Sequence, residues 1–268
     1  MEPETTNNET TNNRHNNSEN PFIEVSELTH TFQDGTQALR GINFSLGRGE
    51  FILMVGPNGS GKTVFARHLN ALYRPTSGEV IVAGVSTKKS PSLARRRVGL
   101  VFQDADSQIV GQTVRDDIAF GPQNLRLPKE EIEARVENSL DLLNLRPLAD
   151  HRPHLLSGGE KRRLAIAGVL ALRPEVLVLD EPFSNLDYGG VVSVLEHVVS
   201  LHKKGVALVL VSHDIEKACA HADRLVVFFR GRIVEDGAPS DIIHHLPTYG
   251  VRVPPAVPQS PERSTWLS

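Results

Sequence analysis

The chain has 268 residues, with 29 Lys and Arg against 32 Asp and Glu and a formal net charge of -3. It therefore lacks the basic excess of a dedicated polyanion binder, and no nucleic-acid partner is expected. Its single cysteine, Cys219, excludes an intramolecular disulfide or a multi-cysteine metal knuckle, and no apolar run approaches the ~18–20 residues that cross a bilayer.

Residues 1–20 are almost all Asn, Thr and Glu and read as a disordered tail, because they cannot bury enough surface to offset their ordering entropy. The folded part is expected over 21–246. Ile23–Leu28 and Ala38–Leu46 read as strands around an Asp34-Gly35 turn, an antiparallel piece. Four short runs, Phe51–Val55, Val98–Phe102, Val176–Leu179 and Val206–Val211, are continuously apolar rather than alternating. That pattern belongs to strands buried on both faces of a largely parallel sheet. Between them, Ile132, Val136, Leu140 and Leu143 predict a helix over Lys129–Leu145, and Val191, Val194, Leu195, Val198 and Val199 predict one over Tyr188–His202. Buried strands alternating with amphipathic helices mean an α/β fold. From residue 247 onward, Pro254, Pro255, Pro258 and Pro261 predict an extended tail outside the core, with Trp266 near its tip.

In open α/β sheets, ligands bind beyond the carboxyl ends of the strands. After Phe51–Val55 comes Gly56-Pro57-Asn58-Gly59-Ser60-Gly61-Lys62-Thr63, the G-x-x-x-x-G-K-[ST] phosphate loop, followed by a predicted helix over Thr63–Leu72. Its glycines let backbone N–H groups turn around phosphate oxygens and the helix N-terminus adds a favourable dipole. Lys62 would reach the β and γ phosphates of ATP, and the Thr63 hydroxyl would bind Mg²⁺. Asp180 and Glu181 follow the third run: one would hold Mg²⁺ through water and the other would polarise the attacking water, with strand alternation sending the two carboxylates to opposite sides. Gln103 and His213 follow the remaining two runs. Leu156-Ser157-Gly158-Gly159-Glu160 contains the capping box S-x-x-E ahead of a helix predicted over Lys161–Leu172. Its two glycines expose helix-start N–H groups, a second anion site in the same chain.

Leu156–Glu160 resembles the signature motif of ATP-binding-cassette (ABC) ATPases. The phosphate loop Gly56–Thr63, Gln103, the Walker B run Val176–Glu181, the loop Ser184-Asn185-Leu186-Asp187 and the switch histidine His213 follow that family's order. The resemblance implies a P-loop ABC ATPase fold: a mostly parallel core sheet, an N-terminal antiparallel β piece, and a helical subdomain inserted at about 104–169. It assigns Phe32 to adenine stacking, and Ser157, Gly158, Gly159, Glu160 and Asp187 to nucleotide contacts. Gln103 is implied as a metal ligand and nucleotide sensor, and His213 as the γ-phosphate contact.

Val98–Val110 and Thr113–Pro122 are further similar to ATPases of energy-coupling-factor importers, which take up vitamins and cobalt or nickel ions. Phe183 departs from the Thr common after Asp-Glu-Pro, and Asn185 from a typical small residue. The resemblance implies a second ATPase subunit, identical or paralogous, with ATP sandwiched between the two. It also implies a membrane-embedded coupling subunit and a substrate-binding membrane subunit, at the cytoplasmic face of the cell membrane. Another ABC transporter class, or a non-transport ABC ATPase acting on nucleic acid, are the alternatives. The pairs His151/His154 and His244/His245 lack a joining carboxylate or cysteine cluster and read as surface histidines.

Overall fold

A computed structural model describes residues 21–253 and 265–267; the tail expected over 1–20 lies outside the described residues. In chain order the elements are β1 (Ile23–Thr31), β2 (Gln37–Leu46), β3 (Phe51–Val55), α1 (Lys62–Leu69), β4 (Ser77–Val82), β5 (Val85–Ser86), α2 (Pro91–Arg97) and β6 (Val98–Val101). They continue with α3 (Val114–Asn124), α4 (Lys129–Leu142), α5 (Gly158–Leu170), β7 (Val176–Asp180), α6 (Tyr188–Lys203), β8 (Ala207–Val211), β9 (Arg224–Phe229), β10 (Arg232–Gly237) and α7 (Pro239–Ile242).

Six strands form one sheet in the order β10-β9-β3-β8-β7-β6. All its pairings are parallel except the β10–β9 edge. The continuously apolar runs are explained by burial on both faces. Phe51, Leu53 and Val55 of β3 join one hydrophobic cluster, while Ile52 and Met54 join another. The first cluster is filled by α3 to α6 and the second by α1 and the smaller sheet, through residues such as Leu164, Leu195, Phe65 and Ile42. That second sheet is antiparallel, in the order β2-β1-β4-β5. An α/β fold with a mostly parallel sheet and an antiparallel N-terminal sheet is therefore the architecture.

Several boundaries differ from those read in the sequence. The strand after residue 98 stops at Val101, and β8 begins at Ala207. The helix after the signature begins at Gly158 rather than Lys161, so both glycines lie inside its first turn, with Ser157 as its cap. Of the tail expected from residue 247 onward, Pro254, Pro255, Pro258 and Pro261 lie outside the described residues, while residues on either side of them touch the core. A 3₁₀ helix runs over Ile243–Tyr249, Val251 is 4% exposed, and Trp266 and Leu267 pack against the larger cluster. Leu246 and Val251 are buried, and their apolar surface holds the described part of that segment on the core.

Helix α1 also buries an ionisable group. His68 is wholly buried, and neither ring nitrogen has a hydrogen-bond partner among the described residues. Burial, with His30 beside it, pushes its pKa from 6.5 to about 4. The unfolded chain therefore binds more protons than the folded one between those values. Stability present above pH 6.5 is lost as pH falls through the window, by up to about 3 kcal/mol. His68→Leu is expected to flatten the fall of the urea midpoint between pH 7 and 4.5, and parallel pH profiles for the two proteins would refute this assignment.

Candidate nucleotide-binding site

The strand register brings the polar residues together. Val101 pairs with Leu179, Asp180 with Val211, and Met54 with Val211. The parallel strands thus finish at one edge, and the residues following them open there.

The phosphate loop fits this edge only because of its glycines. Gly56 has φ 148°, and a Cβ there would lie 2.1 Å from the Phe228 carbonyl oxygen on β9. Gly61, the residue before α1, has φ 108°, and its Cβ would meet the Ala38 carbonyl oxygen at 2.9 Å. Phe32, Thr36, Gln37 and Ala38 line one side of a cavity of about 430 Å³, and Asn58–Val64, Gln103, Glu181 and His213 line the rest. Within the loop the Ser60 hydroxyl is buried with no partner among the described residues. An orphaned hydroxyl inside a glycine loop is the feature a phosphate oxygen would satisfy.

Charge at the cavity floor is unusually dense for a buried place. Lys62 is 6% exposed, and its ammonium donates to the Gly56 and Pro57 carbonyls at 2.6 and 3.1 Å. Burial lowers its pKa, opposed by the carboxylates of Glu181 and Asp180. Burial raises the pKa of Asp180, against a hydrogen bond that its Oδ1 accepts from the Thr63 hydroxyl at 3.1 Å. Glu181 is not on the strand as alternation would have it. The strand ends at Asp180, and Glu181 turns away with φ 47° while its N–H donates to Val211 at 2.9 Å. The left-handed turn, rather than the pleat, aims this carboxylate, and such strain is held only where surroundings enforce it. The Nδ1–H of His213 faces the Glu181 oxygens at 2.9 and 3.0 Å.

Phe32 sits just past the end of β1, 37% exposed, with its ring edge-on to His30 at 4.7 Å. Gln103 is exposed at the cavity wall and its backbone is fixed from behind. Arg162 of α5, only 4% exposed, donates to the Phe102 and Gln103 carbonyls at 2.5 Å each. Gln108 bonds the Phe102 N–H and the Leu100 carbonyl, and Asp117 accepts from Val110 and Gly111. These three positioning residues were not singled out from sequence; a charge on an otherwise apolar helix face was the available signal for Arg162.

The structure does not bring Ser157, Gly158, Gly159, Glu160 or Asp187 into this cavity. Glu160 accepts from the Ser157 N–H and hydroxyl at 2.7 and 2.8 Å, which closes the capping box and holds its carboxyl below the usual range. Asp187 caps α6 through Gly190 at 2.8 Å. Ser157 and Gly158 are exposed.

Comparison with known proteins agrees with these features. The family model "ABC transporter" matches residues 39–184. The chain is 42% identical over 230 residues to the energy-coupling factor transporter ATP-binding protein EcfA of Methanocaldococcus jannaschii, covering 85% of this chain and 82% of that one. Among solved structures, cbiO1 of Clostridium perfringens, part of the ABC transporter complex cbiONQ, matches with a TM-score of 0.77 and 34% identity over 89% of this chain and 98% of that one. An ATP-binding cassette solved as a dimer in a post-hydrolysis state with ADP and Pi matches with a TM-score of 0.73 and 27% identity, over 81% and 98%.

The two loop glycines make a sharp test. Gly56→Ala is expected to abolish ATP binding and destabilise the fold by more than about 2 kcal/mol, because a backbone oxygen occupies the space. At Gly59, φ is 76° and nothing lies within 4 Å of a Cβ, so Gly59→Ala should cost only about 1 kcal/mol. Equal losses in thermal melts and nucleotide titrations would contradict the geometry.

Proposed function

The chain belongs to the ABC transporter family of ATP-hydrolysing proteins, and from that premise we propose that it powers an energy-coupling-factor type importer for a metal ion or a vitamin. The observation that carries the mechanism is the separation of two anion-binding helix starts. The phosphate loop lines a cavity, whereas Ser157 and Gly158 stand exposed outside it, with Gly159 half-buried beside them. ATP then lies between the phosphate loop of one ATPase subunit and the signature residues of a second, identical or paralogous.

In this reading Phe32 stacks on adenine and the loop Gly56–Thr63 cradles the phosphates, with the Ser60 hydroxyl gaining its missing partner. Lys62 leaves the loop carbonyls for the β and γ phosphates. The Thr63 hydroxyl, the Gln103 amide and the Asp180 carboxylate are oxygen donors suited to Mg²⁺, which would neutralise phosphate charge. Glu181 takes a proton from the attacking water as the bond from the γ phosphorus to the bridging oxygen breaks, releasing ADP and phosphate. His213 holds Glu181 and the γ-phosphate. From the partner subunit, the residues equivalent to Ser157, Gly158, Gly159, Glu160 and Asp187 close the site. Loss of the γ-phosphate contacts opens the pair, and the segment after Gln103 passes this to a membrane-embedded coupling subunit and a substrate-binding membrane subunit. No helix of the described residues is long and apolar enough to cross a membrane; the reading puts the membrane-embedded subunits on other chains and this one at the cytoplasmic face.

Two experiments test the reading. Glu181→Gln should bind ATP yet lose turnover by about 10²-fold or more, the scale of general base catalysis; near-normal turnover would remove Glu181 from its role. Mixing Lys62→Ala subunits with Ser157→Arg subunits leaves at most one competent shared site per pair. Full activity of the mixture would contradict a site built from two chains.

A further inference from the structure

Lys217 is only 9% exposed although it follows the exposed His213 by four residues. Its ammonium lies 5.1 Å from the centre of the Trp266 ring and 5.8 Å from that of Phe183, within cation–π range of both. It also donates to Asp214 Oδ2 at 2.6 Å. The Asp214 carboxylate in turn stands 3.7 Å from His213 Nε2, on the other side of the ring from Glu181. One unbroken set of contacts therefore runs from the C-terminal end of the chain to the acid at the end of β7.

The seat of that C-terminal segment is specific. The Thr265 hydroxyl bonds His221 Nε2 at 2.7 Å, and the Leu267 N–H donates to Thr265 Oγ1 at 3.0 Å. The Trp266 ring leans on Tyr188, the first residue of α6, at 5.3 Å. Phe183, the departure from the family's usual Thr after Asp-Glu-Pro, supplies the other aromatic ring. Two features with no place in the nucleotide cavity thus meet on one lysine.

We propose that Thr265–Leu267 form a latch that positions His213 and Glu181 for hydrolysis, Trp266 acting by holding Lys217 on Asp214. The inference rests on the roles given above to Glu181 and His213. Asp214 has two nitrogen groups in reach, the Lys217 ammonium and His213 Nε2. While Lys217 is held at 2.6 Å, the carboxylate is satisfied and His213 stays with Glu181. Freed from Trp266, Lys217 gains rotamer freedom, and Asp214 competes with Glu181 for the imidazole. Trp266 is a positioning residue: it lies outside the nucleotide cavity, so ATP affinity is not its concern.

The test uses the full chain. Trp266→Ala should lower kcat about three- to tenfold while leaving KM for ATP within about twofold, the range a cation–π contact supports. Trp266→Phe, which keeps an aromatic face, should restore most of kcat, and Trp266→Ala should add no further loss to a Lys217→Met variant. Trp266 is the only tryptophan, so its fluorescence reports the latch directly, and Mg–ATP added to Glu181→Gln should change its emission. Wild-type kcat in Trp266→Ala, a matching rise in KM, additive losses in the double variant, or an unchanged emission would each overturn the latch. If Trp266→Ala fails to fold, Trp266→Phe and Lys217→Met carry the same comparison. Normal turnover of Glu181→Gln would instead overturn the underlying reading of the site, and wild-type kcat in Trp266→Ala beside an inactive Glu181→Gln would overturn the latch alone.

Discussion

The site depends on burial of the parallel strands on both faces. Covered by α3 to α6 on one side and by α1 and a second sheet on the other, strands β3, β6, β7 and β8 have no solvent face. Polar side chains are therefore excluded from β3, β7 and β8 until those strands end, where backbone groups lose their ladder partners and the chain can turn. Since the pairings keep the strands in register, the four exits open at one edge. Convergence of the phosphate loop, Gln103, Glu181 and His213 follows from sheet burial before any of them meets a ligand.

That edge is electrostatically unfinished in the chain by itself. A buried ammonium rests on two carbonyl oxygens, and two carboxylates stand near enough to oppose the effect of its desolvation. Desolvation pushes Lys62 and Asp180 toward their neutral forms from opposite directions. An incoming polyphosphate would supply anionic partners to the lysine, and a divalent cation would supply the counter-charge for the carboxylates, so nucleotide and metal together would relieve both penalties. The left-handed turn at Glu181 belongs to the same economy. Its N–H is tied to β8 and its carboxylate to His213, so backbone strain is held in place by two bonds at the reacting end of the strand.

Much of this was legible in the sequence because its causes are local. Continuous apolar runs, a glycine loop between strand and helix, and an S-x-x-E cap each follow from a few neighbouring residues. What escaped depended on contacts between distant residues. The apolar run Leu225–Phe229 is as continuous as those of β3 or β8, yet β9 and β10 were not anticipated, and neither were β4, which pairs with β1, and β5, which pairs with β4. Arg162 stands out in sequence only as a charge on an otherwise apolar helix face, and its carbonyl partners at Phe102 and Gln103 are some sixty residues away. The reach of strand alternation was overestimated, because it stops where the strand stops, one residue short of Glu181. Contacts of Tyr249, Val253, Trp266 and Leu267 with the larger cluster also escaped, because they join residues distant in the chain.

The loop Ser184–Asp187 ties the start of α5 to the segment that carries Glu181. A Cβ on Gly158 would lie 3.6 Å from Leu186 and 3.7 Å from the Asn185 carbonyl, and one on Gly159 would lie 3.4 Å from Gly190. The exposed helix start of α5 is therefore seated on the same short loop that leaves Glu181, with Asn185 itself in the left-handed region at φ 60°. Capping by Glu160 completes the start of α5 without a ligand, so the helix start need not fold around an anion. In a two-subunit arrangement, engagement of the partner's nucleotide at Ser157–Gly159 would press on Asn185 and Leu186, whose chain leads within four residues to the carboxylate serving the chain's own nucleotide. Small residues at Gly158, Gly159 and Gly190 keep this contact close enough for a displacement of one to be felt by the other.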